Sequence, residues 1–275
     1  MLRFLLTPRW IGLLVVVVVL GFTCVKLSEW QFHRYQERKD SNSLVRENLA
    51  AKPTSVSSLL STSVDPSSDI EWRTVTATGH YDAAHQIAVL YRTRYGAPGV
   101  DVVTPLVTDA GPAVLVDRGW VPSPANGNLT QQLPAPAAGT VTIAGWVRAD
   151  SSGGSSQVTP SQGSVRAISA GAIRPTLPYP LYDGFLQLTR ESPVSPHAPT
   201  KAGEPDLTGG PSFFYGFQWL FFALLFFGFW CYFAWAEYEE KVRGRVRGRG
   251  APTGRGRHPG DGSDDDAQSL ITAPE

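Results

Sequence analysis

The chain has 275 residues, with 24 basic and 24 acidic side chains, and so no net charge at pH 7. Neutrality supplies no global field that would gather nucleic acid. The length leaves room for one extramembrane domain beside any spans.

In chain order, residues 1–9 form a short N-terminus carrying Arg3 and Arg9 and no acid. Residues 10–28, with Val15-Val16-Val17-Val18-Val19-Leu20 at their centre, approach the ~20 apolar residues that cross a ~30 Å hydrocarbon core. This predicts a first transmembrane helix, continued by a polar helical extension from Glu29 to Ala51. A secretory signal peptide is the alternative, but Gly21-Phe22-Thr23-Cys24-Val25-Lys26 is a poor cleavage site. Lys52–Ser68 is rich in Ser, Thr and Pro and reads as irregular linker.

The period then changes. Ile70–Tyr81, His85–Arg92, Val100–Thr108, Ala113–Val121, Thr140–Arg148 and Phe185–Thr189 are short β-branched and apolar runs between Gly, Pro, Asn and Asp clusters. They predict a mainly antiparallel β domain, a sandwich or open barrel, within residues 29–212. Ala149–Gly163 reads as a mobile loop, and Ser192–Gly210 as a Pro-rich return to the membrane. Residues 213–236 form the second predicted span, and residues 237–275 an Arg/Gly-rich, disordered tail.

Lys241, Arg243, Arg245, Arg247 and Arg249 follow the second span. Positive charge in short flanking segments marks the cytoplasmic side. The expectation is therefore a two-pass protein of the plasma (inner) membrane, with both termini cytoplasmic and the main domain outside. Cys24 and Cys231 both fall within the spans, leaving the external domain without a disulfide. At ~1.5 Å per residue they lie roughly 18 Å apart in depth, beyond the ~7 Å Cα limit for pairing.

Leu27-Ser28-Glu29-Trp30-Gln31-Phe32-His33-Arg34, followed by Lys39, resembles a signature of the surfeit locus protein 1 family of cytochrome oxidase assembly factors. The resemblance continues through Gly79-His80-Tyr81-Asp82, Arg92, Gly99 and Thr104-Pro105-Leu106. It is sharpest at Val114-Leu115-Val116-Asp117-Arg118-Gly119-Trp120-Val121-Pro122, the family's central motif, and goes on at Gly145-Trp146-Val147-Arg148. Tyr215-Gly216-Phe217-Gln218-Trp219 closes it, as the family's Tyr-x-x-Gln-Trp does. Composition rich in Arg, Gly, Ala and Pro suggests a GC-rich bacterial genome, and the resemblance is to an actinobacterial member of the family.

The resemblance implies a maturation factor for haem–copper cytochrome c oxidase, acting at or near haem a insertion into the catalytic subunit. A stable accessory subunit of the oxidase or respiratory supercomplex, and a haem a carrier, are the alternatives it leaves open. Its implied partners are the catalytic subunit, other respiratory-complex subunits and the lipid bilayer, not nucleic acid. Many members carry a histidine three residues before that tyrosine; here the position is Ser212. No cofactor is required on this reading, and His33 is the substitute ligand for any haem a.

Among candidate site residues, Trp30, Gln31, Arg34, Tyr215, Gln218 and Trp219 gather where the spans meet the domain. Interfacial anchoring by amphipathic aromatics explains them equally well. Arg118 and Trp120 read either as partner contacts or as parts of a tight turn, with Gly119 supplying a positive φ and Trp120 packing inward. His80, Asp82 and His85 fit no metal signature. No nucleophile motif, phosphate loop or dinucleotide fingerprint is present, so no enzymatic activity is expected.

Overall fold

The structure, a computed structural model, describes residues 3–123 and 133–249. The chain divides into two units, one of residues 1–30 with 214–275 and one of residues 31–213. The tail expected at 237–275 is helical as far as Arg249, and beyond that it lies outside the described residues.

The first unit is built on two helices. α1 runs Pro8–Ala50 and α5 runs Ser212–Arg249. Both are long and apolar enough to cross a membrane. Five successive valines in α1 cost some helix propensity in water, but in lipid only a helix satisfies every backbone group within one segment. Inside this unit Trp10 is buried, edge-on to the Trp230 ring at 6.3 Å. Its indole Nε1 donates to Glu237 at 3.0 Å. Ser28 is buried and donates from Oγ to the Gly216 carbonyl at 2.9 Å. Cys24 is buried, Cys231 exposed, and both are free thiols.

The second unit is the β domain. Its strands are β1 (Thr54–Ser55), β2 (Thr74–Tyr81), β3 (Ile87–Arg94), β4 (Ala97–Thr108), β5 (Ala113–Pro122), β6 (Thr140–Arg148), β7 (Ser164–Val165) and β8 (Leu181–Ser192). Single helical turns are α2 (Val56–Leu59), α3 (Ser155–Val158) and α4 (Ala170–Ile173). Each of the six predicted runs became a strand. The sheet order is β1-β2-β6-β8-β5-β4-β3-β7, and β2 also pairs with β4, so β2, β6, β8, β5 and β4 form a closed circuit of pairings.

The sheet is mixed, which corrects the antiparallel expectation in part. β5 and β8 run parallel, as do β1 with β2 and β3 with β7. The β5–β8 connection spans β6 and α4, long enough for the crossover that parallel pairing demands. The segment read as a mobile loop contains α3, and Asp150 at its start receives the N–H groups of Ala170 and Gly171.

β5 is buried on both faces, which divides the core in two. Val114 and Val116 pack with Val75, Ile143, Leu106, Leu186 and Leu188. Ala113 and Leu115 point the other way, to Val89, Val103, Ile168 and Ile173. Apolar runs on both faces are what a central, parallel-paired strand requires.

Candidate functional site

The motif Asp117-Arg118-Gly119-Trp120 sits near the end of β5, and none of its side chains is free in solvent. Alternation sends Arg118 to the side of Val114 and Val116, where it is 1 % exposed. Its guanidinium donates to Gln86 Oε1 at 3.0 Å and to the carbonyls of Pro134 at 2.9 Å and Ala135 at 3.1 Å. It also lies over the Tyr81 ring at 5.5 Å. Burial lowers the Arg118 pKa, while Tyr81 and Glu191 oppose that shift. Burial and the Glu191 charge together raise the Tyr81 phenol well above its usual range. The network extends through Thr104, whose Oγ1 donates to Gln86 at 2.8 Å, and through Glu191, which accepts the Ser195 N–H at 2.7 Å.

Asp117 faces the opposite way and is 5 % exposed. Its Oδ1 accepts the Gly119 N–H at 3.0 Å. Burial, with the nearby Asp101 charge adding to it, pushes its carboxyl up to about 7. Asp101 is held by Arg92 and Arg94, each at 3.1 Å. Burial still raises its pKa, with the two arginines working against the shift.

Gly119 has φ +124, and a Cβ there would strike the carbonyl of Thr200. A bulge in β5, where Val102 faces Gly119 and Val103 faces Asp117, lets Trp120 bond both ways with Thr200, each N–H···O at 2.8 Å. The Trp120 indole donates to the Arg92 carbonyl at 3.1 Å. Gly99 lies against that indole, in a space no side chain fits. The motif therefore fastens the return segment onto the end of β5. Arg94 adds a bond to the Lys201 carbonyl at 3.3 Å. Lower in the same segment, α1 takes over: Asn42 donates to the carbonyls of Leu207 and Thr208, and Arg46 to that of Leu207. Every one of these bonds reads main chain.

The other predicted residues fall on the two helices. Trp30 and Tyr215 are 52 % and 47 % exposed, Gln218 is exposed, and Trp219 is half-buried against Phe222. These four belong to the helical unit. Gln31, His33 and Arg34 belong to the unit that begins at Gln31, where His33 and Arg34 are exposed on α1. Ser212, in place of the family histidine, is buried at the start of α5. Among the described residues no group of three or more His, Cys, Asp or Glu is placed to hold a metal ion. Asp82 instead accepts from Tyr179 at 2.7 Å and pairs with His85 Nδ1 at 2.6 Å. Burial would raise the Asp82 carboxyl, but the bonds from Tyr179 and His85 hold it below its usual value. His80 Nε2 meets Thr140 Oγ1 at 3.0 Å.

Sequence reasoning missed Gln86, Asp101, Glu191 and Thr200. They lie far from the motif in sequence, and only the folded sheet with its loops brings them to it.

A two-helix protein carrying a β domain in which Asp-Arg-Gly-Trp locks the return to the second helix is the class these observations define. The family model described as the SURF1 family matches residues 18–224. Uncharacterised SURF1-like proteins of Mycobacterium bovis and of two strains of Mycobacterium tuberculosis are each 32 % identical over 246 residues, covering 88 % of this chain and 89 % of theirs. The chain belongs to the SURF1 family.

Proposed function

We propose that this protein is a membrane-anchored assembly factor for haem–copper cytochrome c oxidase, acting at or near haem a insertion into the catalytic subunit. The observation that carries the reading is the family match across 207 residues, from inside α1 to inside α5. The geometry agrees with a scaffold. The most distinctive motif is spent on holding the domain closed and its return segment in place, and it presents no nucleophile, base or open charge. In this reading the protein has no reaction of its own. The circuit of paired strands is a small barrel, held outside the membrane by both its ends, with the two termini cytoplasmic.

The side chains at the root of the domain do not fit a resident haem. Ser212 offers a hydroxyl, a poor axial ligand beside His, Cys, Met or Tyr, and His33 is a lone exposed imidazole on α1. Haem a is therefore the oxidase's cargo, and His33 is the ligand for any passing contact. Absorption spectra of the purified protein test this: substoichiometric haem, reduced further by His33→Ala, is expected, and full haem occupancy surviving His33→Ala contradicts it.

Purification through a tag on this protein, with and without a crosslinker, tests the partner. Recovery of the oxidase catalytic subunit is expected, at well below one copy per copy unless crosslinked. A stoichiometric complex without crosslinker would make the protein a permanent subunit.

A further inference from the structure

The β3–β4 hairpin carries two tyrosines whose rings stand largely in solvent. Tyr91 is 75 % exposed and Tyr95 is 90 % exposed, in a domain that otherwise encloses its aromatic side chains wholly or in part. Both have left-handed backbones, with φ +61 and φ +53. Side chains rarely adopt this conformation outside Gly, Asn and Asp. At Tyr91 a bulge between Val89 and Arg92 turns the ring out of the ladder. At the tip, Arg94 pairs with Ala97, so Tyr95-Gly96 is a two-residue turn with both φ values positive. That sign pattern belongs to the type I′ turn, whose first central position strongly prefers Asn, Asp or Gly. A tyrosine there costs stability and gains nothing locally.

The strained hairpin is held firmly from beneath. Arg92 and Arg94 both grip the buried Asp101, and the Trp120 indole fixes the Arg92 carbonyl. Alongside, the exposed Arg166 lies over the Tyr91 ring at 5.1 Å. Three arginines thus stand against two acids, Asp101 and the deeper Asp117, which leaves the patch net positive. Rigid Tyr with Arg is the composition of interface anchors, and backbone strain persists where a site must be preorganised.

We propose that this hairpin is a docking surface for an acidic protein surface, and, resting on the assembly-factor reading, that this surface is an extramembrane face of the oxidase. The net positive charge selects carboxylates. The fixed, strained turn selects a partner of fixed shape, because preorganisation helps only where the partner's geometry is defined. A lipid headgroup layer asks for amphipathic rings but not for one backbone conformation.

The test replaces Tyr95 with the residue the turn prefers. Tyr95→Asn is expected to raise the Tm of the purified protein while lowering oxidase content of complemented deletion membranes at least fivefold. Tyr91→Ser with Arg166→Glu is expected to lower oxidase content likewise while the protein level stays unchanged. A photocrosslinking residue at position 95, in the otherwise native full chain, is expected to couple to an Asp/Glu-rich segment of an oxidase subunit. Wild-type oxidase content with Tyr95→Asn, a lowered Tm, or crosslinks to lipid alone would overturn the proposal. A deletion strain with normal oxidase would instead refute the assembly-factor reading, and so the two failures are distinguishable.

Discussion

Arg118 is the largest side chain fully enclosed by the domain, and it is met by Gln86 and two loop carbonyls. Truncation would open a cavity where the enclosed side chain stood and take the donor from two loop carbonyls, so Arg118→Ala should cost about 3 kcal/mol. Arg118→Lys should rescue little, because an ammonium lacks the planar fork that reaches three acceptors. Thermal unfolding followed by circular dichroism checks both. Asp117 gives a prediction in pH. Its folded-state pKa, about 7, lies above the ordinary 3.8. A carboxyl raised in this way binds more protons folded than unfolded. It therefore favours the fold most below about pH 4, and that contribution is lost as pH rises to about 7. Asp117→Asn, which keeps an acceptor for the Gly119 N–H and cannot ionise, should gain Tm over the parent steadily from pH 5 to pH 7.5. A constant difference across that range would show that Asp117 is ionised throughout. The positive φ at Gly119 and the inward Trp120 were legible in the sequence. The complete burial of Arg118 was not, since arginine is almost never fully buried unless paired, and its partners come from Gln86, just before β3, and from the segment before β6.

At the scale of elements, the strand runs were legible because Val, Ile and Thr alternate between Gly and Pro clusters. The ends were less so. β4 begins at Ala97, three residues before its predicted start, through Pro98 and Gly99, with Ala97 paired to Arg94. β8 begins at Leu181, four residues before its predicted start, through the unpromising Asp183 and Gly184. Parallel β5–β8 pairing left no local trace, being a contact between distant segments. The second span was legible from composition alone: fifteen of the 26 residues from Phe213 to Tyr238 are aromatic. The structure adds which of them face α1. Phe213 and Trp230 meet it, while Phe221, Phe229 and Phe233 are exposed. Lipid does not ask for phenylalanine over leucine, and helix association in membranes depends on packing. Replacing the exposed aromatics of α5 by leucine, with Tyr215, Gln218, Trp219 and Trp230 kept, should leave insertion intact and reduce co-purified oxidase severalfold. Wild-type co-purification would mean that the exposed aromatic face is only a lipid surface.

For the molecule as a whole, the return segment carries the chain from β8 to α5. It is read through main chain by Trp120 and Arg94 at one level and by Asn42 and Arg46 at another. Its many prolines leave fewer N–H groups to satisfy and favour extended backbone, which suits a segment fastened at intervals. Gly119→Ala should loosen it. Faster amide exchange at Thr200 and across 195–203, with exchange in β2 and β6 unchanged, is the expected result. A uniform rise through the domain would mean that the glycine supports the core and not the strap. The central claim, that the protein serves oxidase maturation, is most directly tested by deleting its gene and recording reduced-minus-oxidised spectra of the membranes. A large loss of the haem a band is expected, with b- and c-type haems spared and the band restored by the wild-type chain. Unchanged haem a content and oxidase activity in a clean deletion would contradict it.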